Sequence, residues 1–444
     1  MGASVYFYSY FIPYYLFVLV LAIIIDYGAG ILIENSDNQR HKKYFLIASI
    51  LSTVLLLFIF KYYNFAVANI NNLVGYADSD WRIKFISIAL PVGLSFHTFQ
   101  SLSYVIEVYR GNQKAERHFG IYSLFVMFYP QLVAGPIERP QNVLHQFYEK
   151  HYFDWKQITM GLRLMIWGLF KKVVIADNIN VVTNTIFDNY GSLNSPYLYV
   201  GALLFSIQIY CDFSGYSDMA LGSAKCMGFR LMENFNLPYV SQSIKEFWSR
   251  WHISLSTWFK DYVYVPLGGS KQGKKKTVLN QIYVFMISGI WHGANWTFVV
   301  WGALHAVYNT TAQFLPKQLL QLEFIRNNFI RKKLNQLIVF NLVLFAWIFF
   351  RADSVFVAFK YIKTMFFKYS LTSTLADIGI QKTALCTLII SSLLFLFFDS
   401  NIHRFIRRES NLFQFKAMTL ISFLIAMVIT TGFWGKVQFI YFQF

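Results

Sequence analysis

Charge is what this sequence has least of. Asp, Glu, Lys and Arg make up 14% of its 444 residues, against about 25% in an ordinary soluble domain. No long polar stretch exists to build a separate water-soluble domain. A length that would suggest two or three soluble domains therefore reads as one integral membrane domain, residues 1–444. Cysteine is also scarce. Cys211, Cys226 and Cys386 are scattered, with no CxxC pair, which excludes a sequence-visible disulfide framework or zinc knuckle. Acids are fewer than bases, leaving a formal charge of +17. In a soluble chain that excess would suggest nucleic acid. In a membrane chain the positive-inside bias and contact with anionic lipid account for it, and no nucleic-acid partner is expected. No HExxH, GxSxG, GxGxxG or P-loop pattern sits where its mechanism needs it. Hydride transfer, phosphoryl transfer from ATP and zinc hydrolysis thus lack support. Group transfer by a base, with no metal and no tightly held cofactor, remains. A basic n-region is missing too, because the first charged residue is Asp26; the first apolar run is expected to stay as a transmembrane helix. No internal repeat is visible, which argues against the inverted halves of a transporter.

Apolar and aromatic residues fill the space, and one stretch organises the rest. From Thr277 to Pro316 there is no Asp, Glu, Lys or Arg, while Lys276 and Lys317 bracket the run. About 20 such residues make one bilayer crossing. Inside it lie His292 and His305, and an ionisable side chain at membrane depth is a functional-site hypothesis by default. Gly289, Gly293 and Gly302 allow close approach, and Trp291, Trp296 and Trp301 supply bulk. Together they suggest a walled pocket around one imidazole. Imidazole titrates near neutrality and can take a proton from a hydroxyl, which makes His292 the candidate general base. Asn295 is placed to orient its ring or polarise a carbonyl. On a continuous helix, at about 100° per residue, His305 would face away from His292. The two then form no metal pair, and His305 reads as packing or a supporting polar contact.

In chain order, Tyr6 to Ile25 reads as the first span, kinked at Pro13. Arg40, Lys42 and Lys43 follow it, which places the N-terminus outside and this loop in the cytoplasm. Tyr44 to Phe60 returns, and Asn69 to Trp81 reads as a polar outer loop. Phe85 to Tyr109 is interrupted by Pro91, Gly93, His97 and Glu107. Phe119 to Ala134 runs into YPQLVAGPIERP, a turn-rich segment that is either re-entrant or a plain linker. Ile158 to Ile175 is cut by Arg163, Lys171 and Lys172. Tyr197 to Tyr210 leads into CDFSGYSDMALGS, whose small residues allow tight helix packing. There Asp212 and Asp218 either orient a histidine, line a polar tunnel, cap a helix or form a buried ion pair. Residues 237–270 read as an amphipathic interfacial helix. Ile244, Trp248, Trp251, Leu255, Trp258 and Tyr262 form its stripe, and Lys245, Ser249, His252 and Ser256 lie opposite. His252 is then a wetted polar residue, or touches acceptor or donor if the helix roofs the site. Further spans are Leu334–Phe350, the short Val355–Phe367, Thr383–Phe398 and Phe415–Thr431, with basic loops at Arg326–Lys333 and His403–Arg408. The result is an all-α polytopic membrane bundle of roughly 10–12 membrane segments, several short or re-entrant.

WHGANWTFVVWGALH resembles the signature of the membrane-bound O-acyltransferase (MBOAT) family, and most closely its bacterial branch of alginate and peptidoglycan O-acetyltransferases. PVGLSFHTFQ, PQLVAGPIERP, CDFSGYSDMA, EFWSRWHISLSTWFKDYVYVPLGG and the terminal FIYFQF support the resemblance in order along the chain. The resemblance implies acyl transfer from a cytoplasmic thioester, acetyl-CoA, to an outer acceptor in the bacterial inner membrane. It implies a catalytic core over 85–316, a dish-shaped helical bundle with a tunnel meeting at the histidine, His292 as the catalytic histidine and His252 as the second. Part of the positive charge would hold the phosphates of coenzyme A. In the tail, residues 436–444, Tyr441 matches a tyrosine thought to relay the acyl group, or else serves as an interfacial anchor. An extracytoplasmic SGNH-type acetyltransferase would be the partner. D-alanyl transfer to teichoic acid, and a lipid-linked-sugar transporter with His292 as proton relay, are the rival readings.

Overall fold

The computed structural model describes residues 1–10, 13–76, 81–316, 322–368, 388, 392, 399, 414–435, 437, 439 and 440. Among them every regular element is a helix. They fall into two compact units, Met1–Phe153 with Met227–Met232, and Asp154–Cys226 with Glu233–Phe444. Among the described residues four helical stretches are long and apolar enough to cross a bilayer: Tyr15–Asn35, Gln39–Gly75, Ser195–Cys226 and Asn328–Arg351.

The first unit begins with α1 (Gly2–Ser9) and α2 (Tyr15–Asn35). The expected single kinked span is thus two helices. Asn38 caps α3 (Gln39–Leu57) by accepting from the Arg40 N–H at 2.9 Å, and a π turn at Phe58–Tyr62 carries it into α4 (Tyr63–Tyr76). The outer loop expected from Asn69 is therefore helical through Tyr76. Pro91 and Gly93 do break the next segment, but α5 (Leu94–Arg110) then runs unbroken through His97 and Glu107. Gly93 has φ 75°, and a Cβ there would lie 2.5 Å from the Leu132 carbonyl oxygen, so no side chain fits. The turn-rich region holds α6 (Phe119–Met127), α7 (Tyr129–Leu132) and α8 (Pro140–Val143). Leu19, Ile23, Tyr104, Val105, Tyr122 and Phe125 form the heart of this unit's core.

In the second unit α9 (Trp155–Leu169) widens into a π segment, Phe170–Ala176, before α10 (Asp177–Asp188). Alongside lies α11 (Ser195–Cys226), one continuous helix across the point where the sequence turns polar. The α9–α11 contact depends on paired glycines. A Cβ on Gly161 would meet the Gly222 carbonyl at 2.5 Å, and one on Gly215 would meet the Gly168 carbonyl at 2.7 Å. Each pair's helix partners are two turns apart, so the backbones touch twice along one seam.

The region 237–270 is not one helix. It comprises α12 (Ile244–Arg250), α13 (Ile253–Phe259) and a π turn at Lys260–Tyr264. The long apolar run also divides, into α14 (Gly273–His292) and α15 (Trp296–Thr311). These cross where a Cβ on Gly302 would sit 3.2 Å from Gly289 Cα. Further α-helices among the described residues are α16 (Asn328–Arg351), α17 (Val355–Phe367) and α18 (Gln414–Thr431). The expected span Thr383–Phe398, apart from Leu388 and Ser392, and the loop His403–Arg408 lie outside the described residues, as does Tyr441.

Candidate active site

His292 is the last residue of α14, and Gly293 ends the helix in extended geometry. Asn295 then caps α15, its Oδ1 accepting from the Thr297 N–H at 3.0 Å and its amide donating to the Asp353 carbonyl at 2.9 Å. Asn295 thus ties the loop to the end of α16, and both its polar ends are committed there and not to a histidine ring. His292 is buried among Trp291, Trp301 and Phe350, with ring centroids at 4.8, 4.8 and 5.3 Å. Of the flanking tryptophans, Trp291 is buried but Trp296 is 54% exposed, so Trp296 is not part of the wall.

The helix break revises the place of His305. It is fully buried, with Trp301 at 4.9 Å, and Trp248 Nε1 donates to its Nδ1 at 3.3 Å. The continuous-helix argument turned the two rings apart. With the chain redirected at Gly293–Asn295, His292 and His305 both pack on Trp301. His305 is thereby a hydrogen-bonded packing residue. Among the described residues no cluster of His, Cys, Asp or Glu could hold a metal.

His252 is not a wetted polar residue, being 1% exposed. It falls at the break between α12 and α13 with φ 42° and ψ 56°, a left-handed conformation that costs a non-glycine residue about 1–3 kcal/mol. Neighbouring chain enforces the break. Asn236 N–H donates to the Arg250 carbonyl and Ile253 N–H to the Asn234 carbonyl, each at 2.9 Å. The Ser254 hydroxyl donates to Asn234 Oδ1 at 2.6 Å, and Asn234 donates to Ser217 of α11 at 3.3 Å. Ser243 starts α12 by accepting from the Glu246 N–H at 3.1 Å, half of a capping box. The imidazole lands edge-on to Phe213 at 4.6 Å and to Trp291 at 6.5 Å. Trp291 therefore stands between His252 and His292. Burial pushes the His252 imidazole below its ordinary range, so it is held neutral.

Asp212 and Asp218 are in buried ion pairs. Lys171 Nζ lies 2.6 Å from Asp218, and Lys172 Nζ lies 2.7 Å from Asp212 and 2.8 Å from Asp177. The two lysines, read from sequence as cutting a span short, are the buried partners of these carboxylates, which sequence reasoning missed. Their signal was available: cations inside an apolar run need buried partners. The Asp212 side chain also receives the Ile440 N–H at 2.8 Å, and Phe439 packs on Phe213 at 6.1 Å, the ring against His252.

A cavity of about 410 Å³ is lined by Asn295, Phe298, Phe350, Arg351 and Asp353 among others, and not by His292 itself. Phe350 faces both the cavity and the imidazole. An imidazole held in such an aromatic wall can take the proton of a hydroxyl that reaches it.

The family model "MBOAT, membrane-bound O-acyltransferase family" matches residues 118–359. The peptidoglycan O-acetyltransferase of Helicobacter pylori is 35% identical over 414 residues, covering 87% of this chain and 74% of that protein. The probable alginate O-acetylase AlgI of Pseudomonas aeruginosa is 37% identical over 376 residues, covering 82% of this chain and 68% of that protein. The teichoic acid D-alanyltransferase of Bacillus subtilis is 29% identical over 273 residues, covering 58% and 68%.

Proposed function

The chain belongs to the membrane-bound O-acyltransferase family, and from that premise we propose that it moves an acetyl group from acetyl-CoA across the bacterial inner membrane for O-acetylation of peptidoglycan or an exopolysaccharide such as alginate. The observation that carries this reading is His292, buried at the end of α14 within a wall of Trp291, Trp301 and Phe350. Its imidazole accepts the proton of an acceptor hydroxyl as the oxygen attacks the thioester carbonyl. The carbon–sulfur bond breaks, the coenzyme A thiolate leaves and takes up the proton, and an ester remains on the acceptor oxygen.

Tyr441 is the proposed first acceptor. A phenol, with a pKa near 10, is a better leaving group than an alkyl alcohol. Acetyl-tyrosine would pass its acetyl group downhill to a serine or sugar hydroxyl, completed by an SGNH-type partner outside. Acetyl is favoured over D-alanyl because the O-acetylating relatives align over far more of the chain than the D-alanyltransferase.

His292→Ala tests the reading. Acetyl transfer should fall about a hundred- to ten-thousand-fold, the range of a lost general base, with insertion and thermal midpoint retained. Full transfer by that variant would overturn the assignment.

A further inference from the structure

The second unit contains a polar cluster that the proposed chemistry leaves unused. Lys172 leaves the π segment after α9 and reaches two carboxylates, Asp177 and Asp212. One ammonium facing two carboxylates leaves carboxylate oxygens that it does not satisfy in a buried place. Such a group needs further donors, because an unsatisfied buried carboxylate is costly. The missing donor comes from far along the chain, the backbone N–H of Ile440, at 2.8 Å from Asp212 Oδ2.

Other contacts converge on the same place. A π turn displaces carbonyls from the regular ladder, and the Val173 carbonyl accepts from the Phe433 N–H at 2.8 Å. Asn178 donates to the Thr431 carbonyl at 3.0 Å, fixing the end of α18. The Phe439 ring lies 5.7 Å from Lys172 Nζ and 5.4 Å from the Tyr216 ring. It also packs on Phe213, which in turn lies against His252. The chain from the end of α18 is thus held at Thr431, Phe433, Phe439 and Ile440, and Phe439 shares the Phe213 ring with His252.

We propose that Lys172 and Asp212 form a receptor for the chain's own C-terminal segment, with Lys172 orienting the Asp212 carboxylate so that it grips the Ile440 backbone N–H. Asp212 is then a positioning residue. It anchors the chain one residue before Tyr441 in sequence and acts on acetyl transfer only through that tail. This deepens the acyl-relay reading and rests on it for its functional consequence, though the anchoring itself does not. A carboxylate gripping a main-chain donor tolerates a change at position 440 to a similar apolar side chain, which the burial of Ile440 requires, but not loss of the N–H.

The test uses the purified full-length protein and two changes that meet at one hydrogen bond. Ile440→Pro deletes the donor and leaves Asp212 and Lys172 intact; Ile440→Val keeps the donor. Asp212→Ala deletes the acceptor. Hydrogen–deuterium exchange of the peptide covering residues 436–444 is the first readout. Ile440→Pro and Asp212→Ala should each raise its exchange about tenfold or more, with Ile440→Val unchanged and the α14–α15 peptides still protected. The second readout is acetyl transfer from labelled acetyl-CoA. Ile440→Pro should lower kcat for transfer more than it changes KM for acetyl-CoA, and Ile440→Val should not. Unchanged tail exchange in Ile440→Pro overturns the receptor, whatever Asp212→Ala does to folding. Released tail exchange with full transfer overturns the positioning role. Released tail exchange in a protein whose wild type transfers no acetyl group upholds the receptor and removes the acyl-relay reading instead.

Discussion

His252 combines strain and burial at a single residue. Its left-handed backbone is held by Asn234 and Asn236 from one side and the α12 cap from the other, and the imidazole is thereby fixed against Phe213 and Trp291. Glycine adopts that conformation freely and alanine does not. His252→Gly should therefore be more stable than His252→Ala by about 1 kcal/mol, measured as thermal midpoint in detergent, while both lose acetyl transfer. Equal stability would show that the strain is relaxed elsewhere. Trp248→Phe isolates the His305 contact. It leaves a buried ring nitrogen without its donor and should cost about 1–3 kcal/mol, with chemistry less affected than in His292→Ala. That His292 sits in a pocket walled by aromatic rings was legible in sequence, because tryptophans and glycines crowd around it in an uncharged run. The neighbourhood of His305 was not, because a helical wheel assumes an unbroken helix and Gly293–Asn295 breaks it. His252 misled for the same reason: its stripe matched a helical period, while the packing of Asn234–Asn236 decided where that helix stops.

At the scale of elements, helix ends and helix contacts place the histidines. Val355–Phe367 stands where its apolar pattern put it, and Gln414–Thr431 extends the expected span by one residue. Such short runs have local limits, Ser354 capping one of them by accepting from the Val357 N–H. The α9–α11 seam was foreseen only as a wealth of small residues, since the partners Gly161–Gly222 and Gly168–Gly215 are fixed by tertiary register. Gly215→Val should separate these helices and lower the thermal midpoint, because its Cβ would meet the Gly168 carbonyl. Gly191→Ala, where nothing lies within 4 Å of the added carbon, should be neutral. A neutral Gly215→Val would show that the seam can open without cost.

For the whole molecule, composition was enough to read a multi-pass, all-helical membrane protein, because burying so few charges among so many apolar residues leaves a bilayer as the matching solvent. The division into two compact units was not visible, since it depends on which helices touch. Charge distribution predicts orientation. Lys274–Lys276 open α14 and Arg331–Lys333 lie in the first turns of α16, while the opposite ends of these helices meet through Asn295 and Asp353. The basic ends are expected in the cytoplasm. In a variant lacking native cysteines, Lys275→Cys should react with an impermeant thiol reagent only from the cytoplasmic side. Asp353→Cys, at a side chain 87% exposed, should react only from the other side. The reverse pattern would put the donor and acceptor faces the wrong way round. The central claim is tested most directly by incubating the purified protein with acetyl-CoA labelled in its acetyl group and locating bound label by mass spectrometry. The account predicts label on Tyr441 in the wild type and none in His292→Ala. Label on Tyr441 at the wild-type level in His292→Ala, or neither label nor release of coenzyme A in the wild type with its acceptor partner present, would contradict it.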